Sequence, residues 1–207
     1  MSHVEVVPVG SRVVDSLPFS QGGTAEQAVC LRGSGVDAFA GYLGAVTPAI
    51  LASILASGMG FIPVTFAGAY SVGAAPTLAA LATLSIPRGA TVFLDMEGTN
   101  AFKMDPVELI GKVNAWADGV SAGGYVPGLY VGVPQPLTSD ELWKLRVSRY
   151  WKGQGSLRDR YNNLAEPTGC GFCMTQMYPS VVRAGVLVDH NIVGQDFKGR
   201  TPTMVKL

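Results

Sequence analysis

The sequence predicts an α/β fold, a single (β/α)₈ barrel of the TIM type over residues 1–207, with shortened or irregular last helices. Strand-like and helix-like segments alternate almost throughout the chain, which is typical of a parallel α/β fold. The composition is 48% hydrophobic and only 14% charged, as expected of a parallel sheet that is buried on both faces. An open doubly wound sheet is the alternative. It usually has fewer strands and a phosphate loop, and the sequence contains neither G-x-G-x-x-G nor a Walker loop.

The first half of the chain contains four strand candidates and three helix candidates. Strands are predicted over Ser11–Phe19 with its exit loop, Val36–Leu43, Gly60–Phe66 and Ala90–Leu94. Helices are predicted over Thr24–Gly33, Pro48–Gly58 and Ala75–Leu84. Thr24 is the expected N-cap of the first helix, with Gln27 in a capping-box pattern, and Thr47 is the expected N-cap ahead of Pro48.

The second half of the chain supplies four more strand candidates. They are predicted over Val126–Val131, Val147–Trp151, Phe172–Tyr178 and Val186–Val188. A helix is expected from the N-cap Asp105 to about Ala122, a short helix over Ser139–Leu145, and a short helix or a loop over Leu157–Leu164. The total of eight strands can close a compact barrel.

The balance of charge excludes some classes of partner. Lys+Arg and Asp+Glu both number 15, so we expect no nucleic acid and no anionic membrane as an electrostatic partner. The uncharged segment Ala49–Phe66 approaches the length of a membrane span, but Gly58, Gly60 and Pro63 interrupt it. A buried helix followed by a buried strand explains it, so we expect no stable membrane insertion, and a membrane-associated protein is kept as an alternative.

Acidic residues follow three of the apolar strand candidates. Catalytic groups of a parallel barrel lie at the carboxyl ends of its strands. Asp15 ends the first strand, Asp95 and Glu97 end the fourth, and Asp189 follows the eighth. These four residues are therefore the candidate catalytic groups.

The Asp95-Met96-Glu97 sequence is the most informative of these. Side chains alternate along a strand, so Asp95 and Glu97 point to the same side, with Cα atoms about 6.6 Å apart. Carboxylates so close resist joint ionisation, so one can keep its proton near neutral pH, as glycoside hydrolysis requires. Gly98 would leave room for a substrate. The alternative interpretations of this motif are a helix cap, a salt bridge or a metal site.

Several candidate substrate-binding side chains lie near other strand ends. Flat rings pack against the apolar faces of sugars, and amides hydrogen-bond to hydroxyl groups. The candidates are Tyr130, Trp151, Tyr178, Gln176 and Asn191. The alternative for the aromatic residues is an ordinary place in the core.

Three cysteines, Cys30, Cys170 and Cys173, lack the spacing of a disulfide framework. Cys170 and Cys173 form a lone C-x-x-C, and a redox or zinc role would need a helical setting or a second pair of ligands. We expect inert thiols, no metal and no cofactor.

Three motifs resemble those of the glycoside hydrolase family 25 lysozymes. Leu94–Gly98 (LDMEG) resembles the family's D-x-E strand, Val13–Gly23 (VVDSLPFSQGG) its first strand, and Val188–Val193 (VDHNIV) its D-x-N last strand. The chain is also similar to lysozyme-like barrel domains of uncharacterised substrate. The third strand departs from the pattern, since it ends Thr65-Phe66-Ala67-Gly68 without the usual His/Tyr-Phe pair.

The resemblance implies a function and roles for the acids. Glu97 would be the general acid/base, Asp95 would orient the substrate's N-acetyl group, and Asp15 and Asp189 would complete an acidic floor. The expected substrate is peptidoglycan or a related N-acetylated glycan, cleaved with retention of configuration and with help from the acetamido group.

The beginning of the chain bears on where such an enzyme would act. Met1–Phe19 has no basic start followed by an apolar run, and thus no signal-peptide pattern. This indicates a phage endolysin-like enzyme that stays in the cytoplasm until it is released to the wall, or else a virion protein or one exported by a non-classical route. The alternative function is a glycan-binding or structural barrel of a virion or cell wall that has lost turnover.

Overall fold

The computed structural model describes residues 2–66, 68–97, 99–153 and 157–207. The described residues form ten strands: β1 His3–Val6, β2 Arg12–Asp15, β3 Ala38–Tyr42, β4 Gly60–Thr65, β5 Thr91–Asp95, β6 Val126–Val131, β7 Arg149–Lys152, β8 Met174–Arg183, β9 Val186–Val193 and β10 Thr203–Lys206. They also form eight helices: α1 Leu17–Gly22, α2 Ala25–Gly33, α3 Pro48–Ala56, α4 Ala69–Val72, α5 Ala75–Thr83, α6 Thr99–Lys103, α7 Pro106–Ala122 and α8 Ser139–Trp143.

Strands β2 to β9 close into an eight-stranded barrel, which confirms the predicted TIM-type fold. Strands β2 to β8 run parallel, and each pairs with the next one along the chain. Strand β9 pairs with both β8 and β2 and so closes the barrel. Because parallel strands all end at the same rim, the carboxyl ends of β2 to β7 form one open mouth. The last helices are short, as predicted: α8 has five residues, and the described residues between β7 and β8 contain no helix.

The last barrel strand differs from the prediction in both length and direction. The segment expected over Val186–Val188 extends to Val193 and runs antiparallel to both of its neighbours, β8 and β2. A tight turn at Ala184 and Gly185, both with positive φ, joins β8 to β9 and leaves no room for a helix. The barrel therefore ends in a β-hairpin rather than in an eighth β/α unit.

Two strands at the closed end of the barrel, β1 and β10, were not predicted. They pair antiparallel from His3↔Lys206 to Val6↔Thr203, and Val205 of β10 pairs with Phe61 of β4. Thr203 is fixed to the barrel because its hydroxyl group donates to the carbonyl oxygen of Gly89 at 2.7 Å. The two strands thus cover the end opposite the mouth.

The local signals for helices in the sequence correspond to real caps. Thr24 and Gln27 form a capping box at α2, the Thr47 side chain accepts from the Ile50 N–H at α3, and the Asp105 side chain caps α7. Helix α1 replaces the predicted exit loop after the first strand, where Ser16 is the N-cap. None of the described helices is long and apolar enough to cross a membrane.

Two layers of buried side chains hold the barrel together. Alternate residues of the strands fill the interior, among them Val13, Ile62, Phe93 and Trp151, while the intervening residues pack outward against the helices. Above this layer, at the mouth, the inward positions of β2, β5 and β9 carry the carboxyl groups of Asp15, Asp95 and Asp189.

Candidate active site

A polar cavity of about 140 Å³ lies at the mouth of the barrel. It receives side chains from β2 to β9 because the inward positions at the carboxyl ends of the strands converge there. The residues that line it are Asp15, Tyr42, Val64, Glu97, Tyr130, Trp151, Gln176, Ser180 and Asp189. Three of the four predicted catalytic acids are in this set, and the fourth, Asp95, precedes Glu97 at the end of β5.

Asp95 is the last residue of β5, and Glu97 lies two residues beyond it. Asp95 is buried, and its Oδ1 accepts a hydrogen bond of 2.8 Å from the backbone N–H of Glu97. Glu97 is exposed, and its Oε1 accepts a longer bond of 3.4 Å from the backbone N–H of Val133. Asp95 is therefore held in place, whereas Glu97 is freer to move toward a ligand. Gly98, predicted to give access, lies outside the described residues.

Gly132 at the end of β6 provides the space that Glu97 occupies. A Cβ atom at residue 132 would lie 2.6 Å from Cγ and 2.7 Å from Oε1 of Glu97. Only a residue without a side chain lets Glu97 take this position above the cavity.

The Gly132→Ala variant is therefore expected to displace Glu97 and to lower the kcat of a reaction in which Glu97 takes part by roughly tenfold to a hundredfold, since a misplacement of about 1 Å is enough for such a loss. The melting temperature should change little because Glu97 is exposed and can yield. The matched control is Gly111→Ala in α7, where a Cβ would meet nothing within 4 Å. Unchanged kcat in Gly132→Ala would show that the position of Glu97 is not important.

Asp15 belongs to a buried chain of hydrogen bonds. Asn191 Nδ2 donates to Asp15 Oδ2 at 2.8 Å, and Asn191 Oδ1 accepts from the Trp151 indole N–H at 2.8 Å. Asn191, predicted to bind substrate, has no exposed surface. It instead connects Asp15 on β2 with the ring of Trp151 on β7.

Asp189 reaches the cavity from the middle of a strand. It lies directly opposite Asp15 in the antiparallel β2–β9 pair, and the Ser180 hydroxyl group donates a hydrogen bond to its Oδ1. The prediction that Asp189 follows a strand end is wrong, because β9 runs antiparallel to its neighbours and continues past this residue to Val193.

The site has an unusual electrostatic character. Burial raises the pKa of Asp15 from 3.8 to about 7, helped by the charges of Asp189, Asp95 and Glu97 and opposed by the Asn191 hydrogen bond. Burial raises the pKa of Asp95 to about 6 and also raises that of Glu97. In the described part of the chain no Lys or Arg forms an ion pair with any of the four acids. Asp15 and Asp95 therefore hold their protons to a higher pH than ordinary carboxyl groups do, and no described cation balances the charge of the ionised acids.

The raised pKa of Asp15 makes a prediction for stability. In the unfolded chain Asp15 loses its proton near pH 4, while in the folded protein it does so only near pH 7. Stability that is present below pH 4 is thus lost as the pH rises to 7, by an upper limit of about 4 kcal/mol for a shift of this size.

The Asp15→Asn variant should escape this loss. At each pH we take the free energy of unfolding in urea of the variant minus that of the wild type. This difference should be larger at pH 8 than at pH 4 by a few kcal/mol, at most about 4. The exposed Asp140→Asn variant is the control. An equal difference between Asp15→Asn and the wild type at the two pH values would contradict the raised pKa.

The predicted binding residues are only partly brought together. Tyr130, Trp151 and Gln176 line the cavity, and the Tyr130 hydroxyl donates to Gln176 Oε1 at 2.8 Å. Tyr178 does not line it and is 76% exposed on the β8–β9 hairpin. Its predicted place near the mouth assumed that β8 ends at residue 178, whereas β8 continues to Arg183.

Three cavity residues were not predicted. Tyr42 and Val64 lie at the carboxyl ends of β3 and β4, and Tyr42 stacks on Phe66 with 5.4 Å between ring centroids. The position of Tyr42 near a strand end was the signal that could have found it. Ser180 had no such signal. It lines the cavity only because β8 continues past its predicted end at residue 178 and forms the hairpin with β9.

The cysteines lie away from this cavity. Cys170 and Cys173 are buried free thiols near the amino end of β8, and burial raises the pKa of Cys173 to about 12. The described residues contain no cluster of three or more His, Cys, Asp or Glu residues able to hold a metal ion. Burial also raises the pKa of Cys170, so both thiols are protonated at neutral pH.

The comparisons with known proteins agree on the fold. No protein-family model matches the sequence, and no curated protein is detectably similar to it. Among solved structures, an uncharacterized B. stearothermophilus protein has a TM-score of 0.67 and 19% identity, covering 89% of this chain and 96% of the other. A bacterial lysozyme from Streptomyces coelicolor has a TM-score of 0.62 and 13% identity, covering 91% and 94%. A muramidase from Trichobolus zukalii has a TM-score of 0.61 and 10% identity, covering 91% and 95%.

A glycosyl hydrolase 25 of Streptococcus pneumoniae is also similar, with a TM-score of 0.58 and 13% identity over 89% of this chain and 87% of the other. The chain thus has the lysozyme-like fold of glycoside hydrolase family 25, and the resemblance seen in its motifs is confirmed at the level of the fold. At these identities the comparisons establish the architecture alone.

Proposed function

We propose that this chain is a glycoside hydrolase that cleaves peptidoglycan or a related N-acetylated glycan. The observation that carries the proposal is the meeting of Asp15, Glu97 and Asp189 at one cavity that also contains aromatic rings, with Asp95 hydrogen-bonded to the backbone of Glu97 beside it. Glycoside hydrolysis passes through a positively charged, oxocarbenium-like transition state. An acidic cluster with no described cationic partner stabilises that charge in a site where water is partly excluded.

In the proposed reaction Glu97 is the general acid. Its raised pKa and its exposure suit a group that protonates the glycosidic oxygen as the bond from C1 to that oxygen breaks. The acetamido oxygen of the substrate then bonds to C1 and forms a cyclic intermediate. Glu97, now a carboxylate, removes a proton from the water that opens this ring, and two inversions give net retention.

Asp95 is proposed to orient the acetamido group. Its Oδ1 is occupied by the Glu97 N–H, so the carboxylate is fixed and can accept a hydrogen bond from the substrate amide through its other oxygen. Asp15 and Asp189 form the acidic floor below the reacting carbon. Tyr130 and Trp151 would contact the sugar ring, and Gln176 a hydroxyl group.

The direct test is digestion of purified peptidoglycan, with new reducing ends identified by mass spectrometry and the anomer by NMR. We expect N-acetylmuramic acid ends in the β configuration from the wild type and none from Glu97→Gln. Release of another sugar end would change the substrate assignment, and an inverted anomer would exclude the acetamido mechanism. An endolysin-like, bacteriolytic role stays a prediction, which lysis of intact compared with permeabilised bacteria tests.

A second candidate function is binding of a glycan without cleavage. The observation that favours it is the size of the cavity, since about 140 Å³ is less than the 300–1,000 Å³ of usual small-molecule pockets. Such a protein would bind peptidoglycan in sedimentation assays, release no reducing ends from walls of several chemotypes, and lose binding in Tyr130→Ala.

A further inference from the structure

A second cavity, of about 420 Å³, lies at the closed end of the barrel. We name it the floor pocket and define it by Val6, Pro8, Val9, Arg149, Arg200 and Thr201, which are among the residues that line it. It is remote from the mouth because Arg149 begins β7, whereas the catalytic groups follow the ends of strands. Its volume lies within the range of pockets that hold small molecules.

The two arginines of the floor pocket differ in how their charges are balanced. Arg200 is paired with Asp196, with 2.8 Å between Nε and Oδ2. Asp196 Oδ1 accepts from the backbone N–H groups of Lys198 and Arg200 at 2.9 Å each. Both oxygens of Asp196 are therefore occupied, and its charge is already matched by that of Arg200.

Arg149 has no such partner among the described residues. Its Nε donates to the carbonyl oxygen of Thr201 at 2.7 Å, and its Nη1 donates to that of Ser148 at 2.9 Å. These two acceptors are neutral, and the guanidinium group has five N–H donors. A half-buried guanidinium group with spare donors that line a pocket, beside a second arginine, is suited to receive an anion.

The rest of the floor pocket indicates the kind of anion. Val6 and Val9 are exposed on its rim, and Pro8 lies between them in sequence, so one wall is apolar. Arg149, Arg200 and Asp196 together leave one net positive charge. A planar monoanion with an apolar body matches this charge, and a guanidinium group can bind a carboxylate through two parallel hydrogen bonds.

We propose that the floor pocket binds the carboxylate of an organic acid with an apolar chain, through Arg149. The carboxylate would accept from the free Nη donors of Arg149, and the chain would lie on Val6 and Val9. This site is separate from the proposed glycosidase site and requires no catalysis.

The test is a titration of the full chain with hexanoate, followed by NMR and by the melting temperature. We expect saturable binding of hexanoate, weaker binding of acetate, and none of hexylamine, which has the same chain and the opposite charge. Arg149→Gln should weaken hexanoate binding by roughly tenfold or more, as loss of a charge-assisted pair would do. The control Arg158→Gln removes an exposed arginine elsewhere and should bind as the wild type does.

A second variant covers the case in which Arg149→Gln does not fold. Val9→Glu adds a carboxylate at the exposed rim and should weaken hexanoate binding by competing for Arg149, with no loss of melting temperature. The proposal is overturned if hexanoate does not bind the wild type, if hexanol binds equally well, or if inorganic phosphate binds more tightly. Glu97→Gln should bind hexanoate normally, which separates this result from the proposed hydrolase activity.

Discussion

Glu97→Gln is expected to lower kcat on peptidoglycan by about 10²–10⁴-fold, the usual contribution of a general acid or base. Glutamine keeps the size of the side chain and can still accept from the Val133 N–H, but it cannot transfer a proton. The melting temperature should be unchanged because Glu97 is exposed and makes no described ion pair. Initial rates of reducing-end release, measured over a range of substrate concentrations, give kcat and KM separately.

The pH profile distinguishes loss of proton transfer from a general disturbance of the site. Burial raises the pKa of Glu97 and brings that of Asp95 to about 6. The two groups interact, so the limbs of the wild-type profile belong to the pair rather than to either residue. In Glu97→Gln the residual activity should lose the alkaline limb, because the group whose proton goes to the leaving oxygen is absent. Asp95→Asn is the matched control, and we expect it to retain that limb. Retention of more than half of the wild-type kcat by Glu97→Gln would refute the proposed role.

Much of the site could be predicted because its residues follow from one local rule. An apolar run that ends in Asp-x-Glu is a buried strand with two acids on one side, and β5 has this form. Asp15 at the end of β2 is found in the same way. The rule applies to a parallel strand, whose carboxyl end lies at the mouth. β9 is antiparallel and begins at the mouth, so Asp189 lies there for a different reason from the one that predicted it.

The residues that were missed depend on contacts between distant parts of the chain. Ser180 reaches Asp189 across the β8–β9 hairpin, whose bulge between Met177 and Val181 no periodic pattern reveals. The role of Asn191 as a link between Asp15 and Trp151 requires three strands to be placed at once.

The closed end of the barrel was hidden for a related reason. Strands β1 and β10 are four residues long and about 200 positions apart, as their pairing of His3 with Lys206 shows. Segments this short carry little periodic signal, and the burial that stabilises them comes from the assembled barrel. The eight barrel strands, by contrast, are mostly apolar runs bounded by Gly, Pro or an N-cap, and each could be found alone.

Asn191→Leu is expected to reduce the free energy of unfolding by roughly 2–5 kcal/mol, because it removes one residue that serves two buried hydrogen bonds. Leucine has the same branched shape and the same number of heavy atoms, but it leaves the Trp151 indole N–H and the Asp15 carboxyl group buried without their partner, at about 1–3 kcal/mol each. Urea unfolding at pH 7 measures the loss. In a double-mutant cycle with Trp151→Phe, the double variant should lose less than the sum of the two single losses, because it leaves no unpaired indole N–H. A loss below about 1 kcal/mol for Asn191→Leu would mean that these bonds do not stabilise the barrel, and that Asp15 keeps its position through the β2–β9 pairing alone.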